Sequence, residues 1–317
     1  MDGWFVSNEY PTFDVDTDHA TPEFVRLAIA RPRAWREMAS RTVGMGHRRQ
    51  RLHPDAFVAF EIELPSLDEQ RSIVDVIDAV GWALTCVEAE RDANDGVLQA
   101  LRETLIGKKP WDMVSLGEVV EDIEGGKSPR CLDRQPDLDE WGVLKLSAIR
   151  PGVFRDSEAK ALPEDVPPFE KAEIRSGDVI ITRSNTRERV GAVCRVEETR
   201  PRLLLCDLTW RLHFNAARLD SGYLVDALAT RESRAQIEGA ATGTSDSMRK
   251  ISRKVLREVE IPLPPLDDQA AIANRLSAVR QAGARLDREA ARLAETRASL
   301  VESLLLGEHR VAKPTAR

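Results

Sequence analysis

Long apolar runs are missing from this 317-residue chain: no stretch approaches the ~20 residues that a bilayer span needs, and no charged-then-apolar signal segment opens it. At 42% hydrophobic and 31% charged, the composition is that of a soluble protein with apolar mass for about two domains. Cysteine is scarce. Cys86, Cys131, Cys194 and Cys206 lie scattered, without CxxC pairs or histidine partners, which excludes a zinc ribbon or a disulfide scaffold and fits a reducing cytoplasm. Aromatics amount to 5%, too few for an extended base-stacking platform. Positive charge is also in deficit, with 46 Lys and Arg against 53 Asp and Glu and a net charge of −7. Taken at face value this argues against nucleic acid, but a whole-chain average hides local basic surfaces.

What is present in quantity is an internal repeat. Leu64-Pro65-Ser66-Leu67-Asp68-Glu69-Gln70 returns as Leu263-Pro264-Pro265-Leu266-Asp267-Asp268-Gln269, an offset of 199 residues. The same offset, without gaps, pairs Gly44 with Gly243, Ile73 with Ile272, Leu101 with Leu300, Phe13 with Leu212 and Phe24 with Tyr223. The chain is therefore a duplication. Residues 108–317 read as one full unit and 1–107 as the back of another, with nearly ninety residues of a complete first copy absent.

Each copy ends in a long helical pattern. Ile272, Leu276, Val279, Gly283, Leu286, Ala290, Leu293, Arg297, Leu300 and Leu304 alternate spacings of four and three; the first copy runs Ile73, Ile77, Val80, Leu84, Val87, Arg91, Asn94, Leu98, Leu101 and Leu105 in the same register. Ser66 and Glu69 suit a capping box, and Gly107 and Gly307 stand where the helices should stop. About 38 residues give a rod of roughly 55–60 Å whose narrow stripe needs a partner. The two rods are expected to pack as an antiparallel coiled coil with Asn94 facing Gly283. Between them, residues 111–262 read as a compact α/β domain. Strand-like runs fall at 143–149, 178–182, 189–196 and 203–214, and helical runs at 221–230 and 231–239.

Three segments carry candidate chemistry. Gly125-Gly126-Lys127-Ser128-Pro129-Arg130 is a glycine turn with two cations and a hydroxyl, an inventory that suits a phosphate, although it lacks the P-loop frame. Arg183-Ser184-Asn185-Thr186-Arg187-Glu188-Arg189 reads as a hairpin tip; arginine forks onto guanine, asparagine onto adenine, and hydroxyls onto base edges or phosphates. From 183 to 202 there are six Arg against three Glu. Thr242-Gly243-Thr244-Ser245-Asp246-Ser247-Met248-Arg249-Lys250 is a hydroxyl-rich loop ending in cations, and its counterpart 43–51 contains His47, Arg48 and Arg49. Each segment also has a bland reading as a solvated turn or linker.

Catalytic signatures are lacking. There is no GxSxG, no Walker motif and no Asn/Asp-Pro-Pro-aromatic motif, and His19, His47, His53, His213 and His309 form no metal spacing. Pro136-Asp137 followed by Glu158-Ala159-Lys160 imitates a metal-nuclease signature, but neither piece reads as a strand, so the match is taken as accidental. The chain is expected to bind rather than catalyse, with no metal or cofactor of its own.

These residues resemble the specificity (S) subunits of type I restriction–modification enzymes. The resemblance rests on the paired Leu-Pro-x-Leu-Asp-acidic-Gln entrances with their heptad helices. It rests also on the intervening pattern Trp111…Leu116-Gly117-Glu118…Gly125-Gly126-Lys127-Ser128-Pro129 and Gly177-Asp178-Val179-Ile180-Ile181. It implies a mixed α/β fold in which target recognition domains are joined by two helices that space the halves of a split DNA site. It also implies double-stranded DNA as ligand, methyltransferase subunits docked on the helices and a motor–nuclease restriction subunit in the complex. S-adenosylmethionine, ATP and Mg²⁺ would be used by those partners, in the cytoplasm and away from membranes. On this reading 1–65 is the remnant of a first recognition domain, including a strand at 8–13, a helix at 22–29 and the loop at 44–51. Residues 66–109 form the first helix, 110–264 a complete recognition domain, and 265–317 the second helix and tail. A structural adaptor that swaps or titrates specificity is the alternative; an autonomous nuclease is a third.

Overall fold

A computed structural model describes residues 10–43, 51–243 and 248–307. The chain packs as two compact units, residues 1–92 with 285–317 and residues 93–284. The helices are α1 (Pro22–Ile29), α2 (Pro32–Ser40), α3 (Pro54–Val58), α4 (Leu67–Arg102), α5 (Leu116–Val119), α6 (Ser221–Ala227), α7 (Arg231–Ala240), α8 (Arg253–Glu258) and α9 (Leu266–Leu305). Among the described residues no helix is long and apolar enough to cross a membrane.

The first unit is helical. Its short helices α1, α2 and α3 each begin on proline, whose missing N–H costs nothing in a first turn. Phe24, Leu27 and Ala28 of α1 bury against Ile73, Val74 and Ile77 of α4 and against Leu304 and Leu305 of α9. Each large side chain so enclosed contributes about 1.5–3 kcal/mol. Within this unit α4 and α9 run antiparallel: Arg91 meets Asp287 at 3.9 Å, while Gly81 lies beside Arg297.

The second unit is a sheet with helices on one face. Its strands are β1 (Met113–Ser115), β2 (Val120–Gly125), β3 (Gly142–Leu144), β4 (Ile149–Arg150), β5 (Val153–Phe154), β6 (Ala159–Ala161), β7 (Val179–Thr182), β8 (Ser184–Asn185), β9 (Val193–Arg195), β10 (Leu203–Leu204), β11 (Thr209–Phe214), β12 (Arg249–Lys250) and β13 (Glu260–Pro262). The principal sheet is antiparallel in the order β2-β11-β7-β9, beside a three-stranded sheet β10-β3-β6. β7 is buried on both faces. Val179 and Ile181 join the core made with α6, α7, α8 and the start of α9, and Ile180 joins a second core with Cys194, Leu203 and Leu205. In this unit, too, the long helices meet as the heptads require: Asn94 donates to the Val279 carbonyl at 3.3 Å and lies over Gly283, where an added Cβ would fall 2.7 Å from its Nδ2.

The repeated Leu-Pro-x-Leu-Asp-acidic-Gln motif has a physical cause. Gln269 is buried; its Oε1 accepts from the Asp220 N–H at 2.9 Å, and its Nε2 donates to the carbonyls of Arg218 and Pro264. Gln70 does the same with the Thr21 N–H and the carbonyls of His19 and Pro65. Thr21 and Asp220 are the N-caps of α1 and α6. One amide thus ties the start of a short helix to the start of a long one, at positions 199 apart in every member. Ser66 accepts from the Glu69 N–H at 3.4 Å, and Gly307 takes the left-handed conformation that ends α9.

Several strand boundaries differ from expectation. The run 203–214 is two strands, because β10 pairs with β3 while β11 pairs with β2 and β7. The run 143–149 is broken by a 3-10 turn at Leu146–Ala148, and 189–196 is strand only over β9. The stretch 156–158 is turn, as expected, and the short strand β6 begins just after it, with Ala159 and Ala161 buried. Residues 10–13, expected as strand, are coil; their counterpart β11 is held by ladders on both sides, and 10–13 has no such ladder among the described residues.

Candidate nucleic-acid interface

The candidate segments of the second unit converge on Trp210, a nearly buried indole in β11. Gly125 lies opposite it in the β2–β11 ladder, and a Cβ there would stand 3.3 Å from the indole Cδ1. The Arg183 guanidinium sits over the ring, 5.6 Å from its centroid. Arg183 is held by its backbone: its N–H donates to the Leu208 carbonyl, and its own carbonyl accepts from the Ile251 N–H.

From there the chain does not form a simple hairpin tip. Ser184 and Asn185, as β8, pair with Lys250 and Arg249 of β12, so two candidate segments more than sixty residues apart become one ribbon. The Asn185 side-chain oxygen accepts from the Thr186 N–H at 2.9 Å, which leaves its amide N–H groups to point elsewhere. Thr186, Arg187 and Arg189 are exposed, while Thr182 fixes the base of the loop by donating to the Arg189 carbonyl. Arg234 of α7 supports the loop from behind through the carbonyls of Val190 and Glu188. Gly243 lies at φ 143°, and a Cβ there would collide with the Met248 carbonyl, so the turn before β12 needs glycine.

Arg253, at the start of α8, places its Nη2 3.5 Å from where a Gly125 Cβ would be, and so joins the cluster. Arg183, Arg187, Arg189, Arg249, Lys250 and Arg253 therefore belong to one region, and none has a carboxylate within 4.0 Å among the described residues. Arg183 and Arg249 each keep a buried Nε without a hydrogen-bond partner among the described residues. Six cations thus gather beside an aromatic ring, with Glu188 as the neighbouring acid within the loop 183–189.

Other expected residues are engaged differently. The Gly125-Gly126 pair serves close packing: a Cβ on Gly126 would fall 1.8 Å from the Leu205 carbonyl oxygen, which also accepts from the Lys127 N–H. The Ser128 hydroxyl is bonded to Asp207. Lys127 lies 5.8 Å from the Phe169 ring centroid, and Arg130 is exposed. Of the six arginines in 183–202, three are structural: Arg195 pairs with Glu197, while Arg200 and Arg202 hold the carbonyls of the 136–140 turn. His47, Arg48, Arg49, Thr244, Ser245 and Ser247 lie outside the described residues. The bases of both loops match nonetheless, Val43 bridging Arg51 as Thr242 bridges Lys250. Trp210, Arg234 and Arg253 were not singled out by sequence; the adjacency of Arg253 and Lys254 to the cationic loop end was the one available hint.

The residues of the nuclease-like match are engaged with other partners. Lys160 is bonded to Asp133 at 2.8 Å, and Glu158 to Ser147 at 2.6 Å. Burial pushes the Cys194 and Cys206 thiols up, away from the reactive thiolate. His213, in β11, contacts Glu124 at 3.1 Å. Among the described residues no group of three or more His, Cys, Asp or Glu could hold a metal ion.

No protein-family model matches the chain. Over 167 residues it is 31% identical to the type I restriction enzyme EcoEI specificity subunit of Escherichia coli, covering 52% of this chain and 28% of that protein. Over 279 residues it is 24% identical to the MjaVIII specificity subunit of Methanocaldococcus jannaschii, covering 80% of this chain and 63% of that protein. These matches span less than two thirds of either relative. The fold is similar to the crystal structure of the S subunit of a type I restriction–modification system from M. genitalium, at TM-score 0.55 and 12% identity, over 89% of this chain and 72% of that one. The chain is thus similar in sequence to specificity subunits of type I restriction enzymes, and similar in fold to a solved S subunit.

Proposed function

We propose that the chain is a DNA-reading specificity subunit whose second unit contacts one segment of duplex DNA through the Arg183–Arg189 loop, β12 and the start of α8. The observation that carries this is the joining of six cations, uncompensated among the described residues, in a protein of net charge −7. Arg183, steadied on Trp210, has the donor fork for a guanine edge; Arg187, Arg189, Lys250 and Arg253 suit phosphates. Methyl transfer and cleavage, with S-adenosylmethionine, ATP and Mg²⁺, belong to partner subunits on this reading, and α4 and α9 give methyltransferase subunits a surface to dock on.

The test is binding of the full chain, alone and with a methyltransferase subunit, to a randomised duplex pool, followed by sequencing of the retained fraction. The wild type is expected to enrich a motif, and Arg183→Ala with Arg189→Ala to lose enrichment at defined positions. Unchanged selectivity in the double variant would remove these two residues from the reading. Capture of a methyltransferase without any enrichment would favour the adaptor role.

A further inference from the structure

The ribbon of β8 and β12 carries hydrogen-bond donors that the described chain does not satisfy. Asn185 stands opposite Arg249 in the ladder and Ser184 opposite Lys250, and the Ile251 N–H, donated to the Arg183 carbonyl, extends the pairing by one residue. Side chains alternate along a strand and face the same way across a pair, so Arg183, Asn185 and Arg249 share one side of the ribbon. The other side is closed on itself, the buried Ser184 hydroxyl donating to the Met248 thioether at 2.9 Å. On the shared side, neither the Arg183 Nε nor the Arg249 Nε, both buried, has an acceptor among the described residues, and the Asn185 Nδ2 has none there. The acceptor on that side, Asn185 Oδ1, is turned back to the Thr186 N–H at 2.9 Å. The Glu188 carboxylate is exposed further round the loop, beyond the paired residues.

A row of donors calls for a row of acceptors. We propose that this side of the ribbon reads two guanines in the major groove, with Asn185 selecting the second beside Arg183; the inference rests on the DNA reading above. Guanine presents two acceptors there, N7 and O6, whereas adenine sets an N6 donor beside its N7 and cytosine offers an N4 donor. Asparagine reads adenine by giving a proton to N7 and accepting from N6 at the same time. With Oδ1 committed to Thr186, Asn185 keeps only the giving half, so the expectation of asparagine on adenine is reversed by one backbone contact. Phosphate oxygens also accept, but they are held chiefly by charge. The Asn185 amide is neutral and its plane is set by the Thr186 contact, which suits a directional reader of base edges. Alternate residues of a strand lie about 7 Å apart, which is about two base-pair steps of duplex.

The test selects from a randomised duplex pool with the full chain and a methyltransferase subunit, then places 7-deazaguanine at each guanine of the enriched motif in turn. Wild type should enrich two guanines about two base pairs apart. Asn185→Ala should lose the preference at one of them and keep the guanine that Arg183→Ala relaxes. Loss of N7 at the Asn185-dependent guanine should weaken wild-type binding about three- to tenfold and leave Asn185→Ala binding unaltered. Asn185→Asp, which exchanges donors for acceptors, should turn the preference there to cytosine or adenine. An adenine at the position that Asn185→Ala relaxes would overturn the proposal and leave the DNA reading standing. So would uniform weakening by Asn185→Ala with no change at any position, which assigns the row to phosphates. The deazaguanine arm uses the wild-type chain, and a motif whose guanines all tolerate the loss of N7 would overturn the proposal whatever the variants do. No enriched motif at all would remove the DNA reading itself, and this inference with it.

Discussion

Gln269 uses both ends of its amide against backbone groups, and each of its three partners is left without a hydrogen bond if the amide is removed. Gln269→Leu should therefore destabilise the second unit by about 2–4 kcal/mol, at about 1 kcal/mol or more for each stranded group. Gln269→Glu should not rescue it, because a carboxylate cannot donate to Arg218 and Pro264. Urea unfolding checks both; a loss below about 0.5 kcal/mol would show that the motif serves something other than this tie. Trp210 makes a separate prediction. Trp210→Leu keeps an apolar residue in β11 but removes the ring under Arg183, so sequence selectivity should fall by about 0.5–1 kcal/mol while the salt dependence of binding stays near that of wild type. Selection from a randomised pool at two salt concentrations separates the two effects.

The two units solve one packing problem with different chemistry. In the second, buried Asp226 of α6 holds Arg102 of α4 at 3.1 Å and Arg280 of α9 at 2.5 Å. At the same repeat positions the first unit has Leu27, Val301 and Gly81, with Leu27 and Val301 in its apolar core. Asp226→Leu alone should cost about 3–5 kcal/mol, since it leaves the buried Arg102 and the partly buried Arg280 without their carboxylate. Adding Arg102→Val should return most of that loss, a non-additivity that thermal or urea unfolding of the single and double variants will measure. Helices were legible in sequence because a heptad stripe extends over many turns: the seam residues Ile272, Leu276 and Leu304 are buried, while the flanking Arg288, Glu289 and Arg292 are exposed. Strands were legible only where both faces are apolar, as in β7. Two- and three-residue pairings such as β3, β6 and β10 are set by partners distant in sequence, and no local pattern marks their ends.

For the whole molecule, on the DNA-reading function proposed above, the acidic net charge and the cationic cluster make opposite contributions to affinity. Binding should be strongly salt-dependent, and the slope of log affinity against log salt should shrink by about 0.9 for each phosphate contact removed. Arg187→Ala and Arg253→Ala, titrated from about 50 to 200 mM salt, test this; equal slopes for wild type and both variants would place the phosphate contacts elsewhere. Sequence by itself determined the duplication, the paired helices with Asn94 against Gly283, and the cationic character of the 183–189 and 249–250 segments. All of these are properties of neighbouring residues or of a regular period, which the chain carries before it folds. Tertiary structure alone decided that those two segments form one ribbon around Trp210, and that Arg195, Arg200 and Arg202 serve the fold. Each of these depends on which distant residues a ladder or a core brings within a few ångströms, and that is a property of packing.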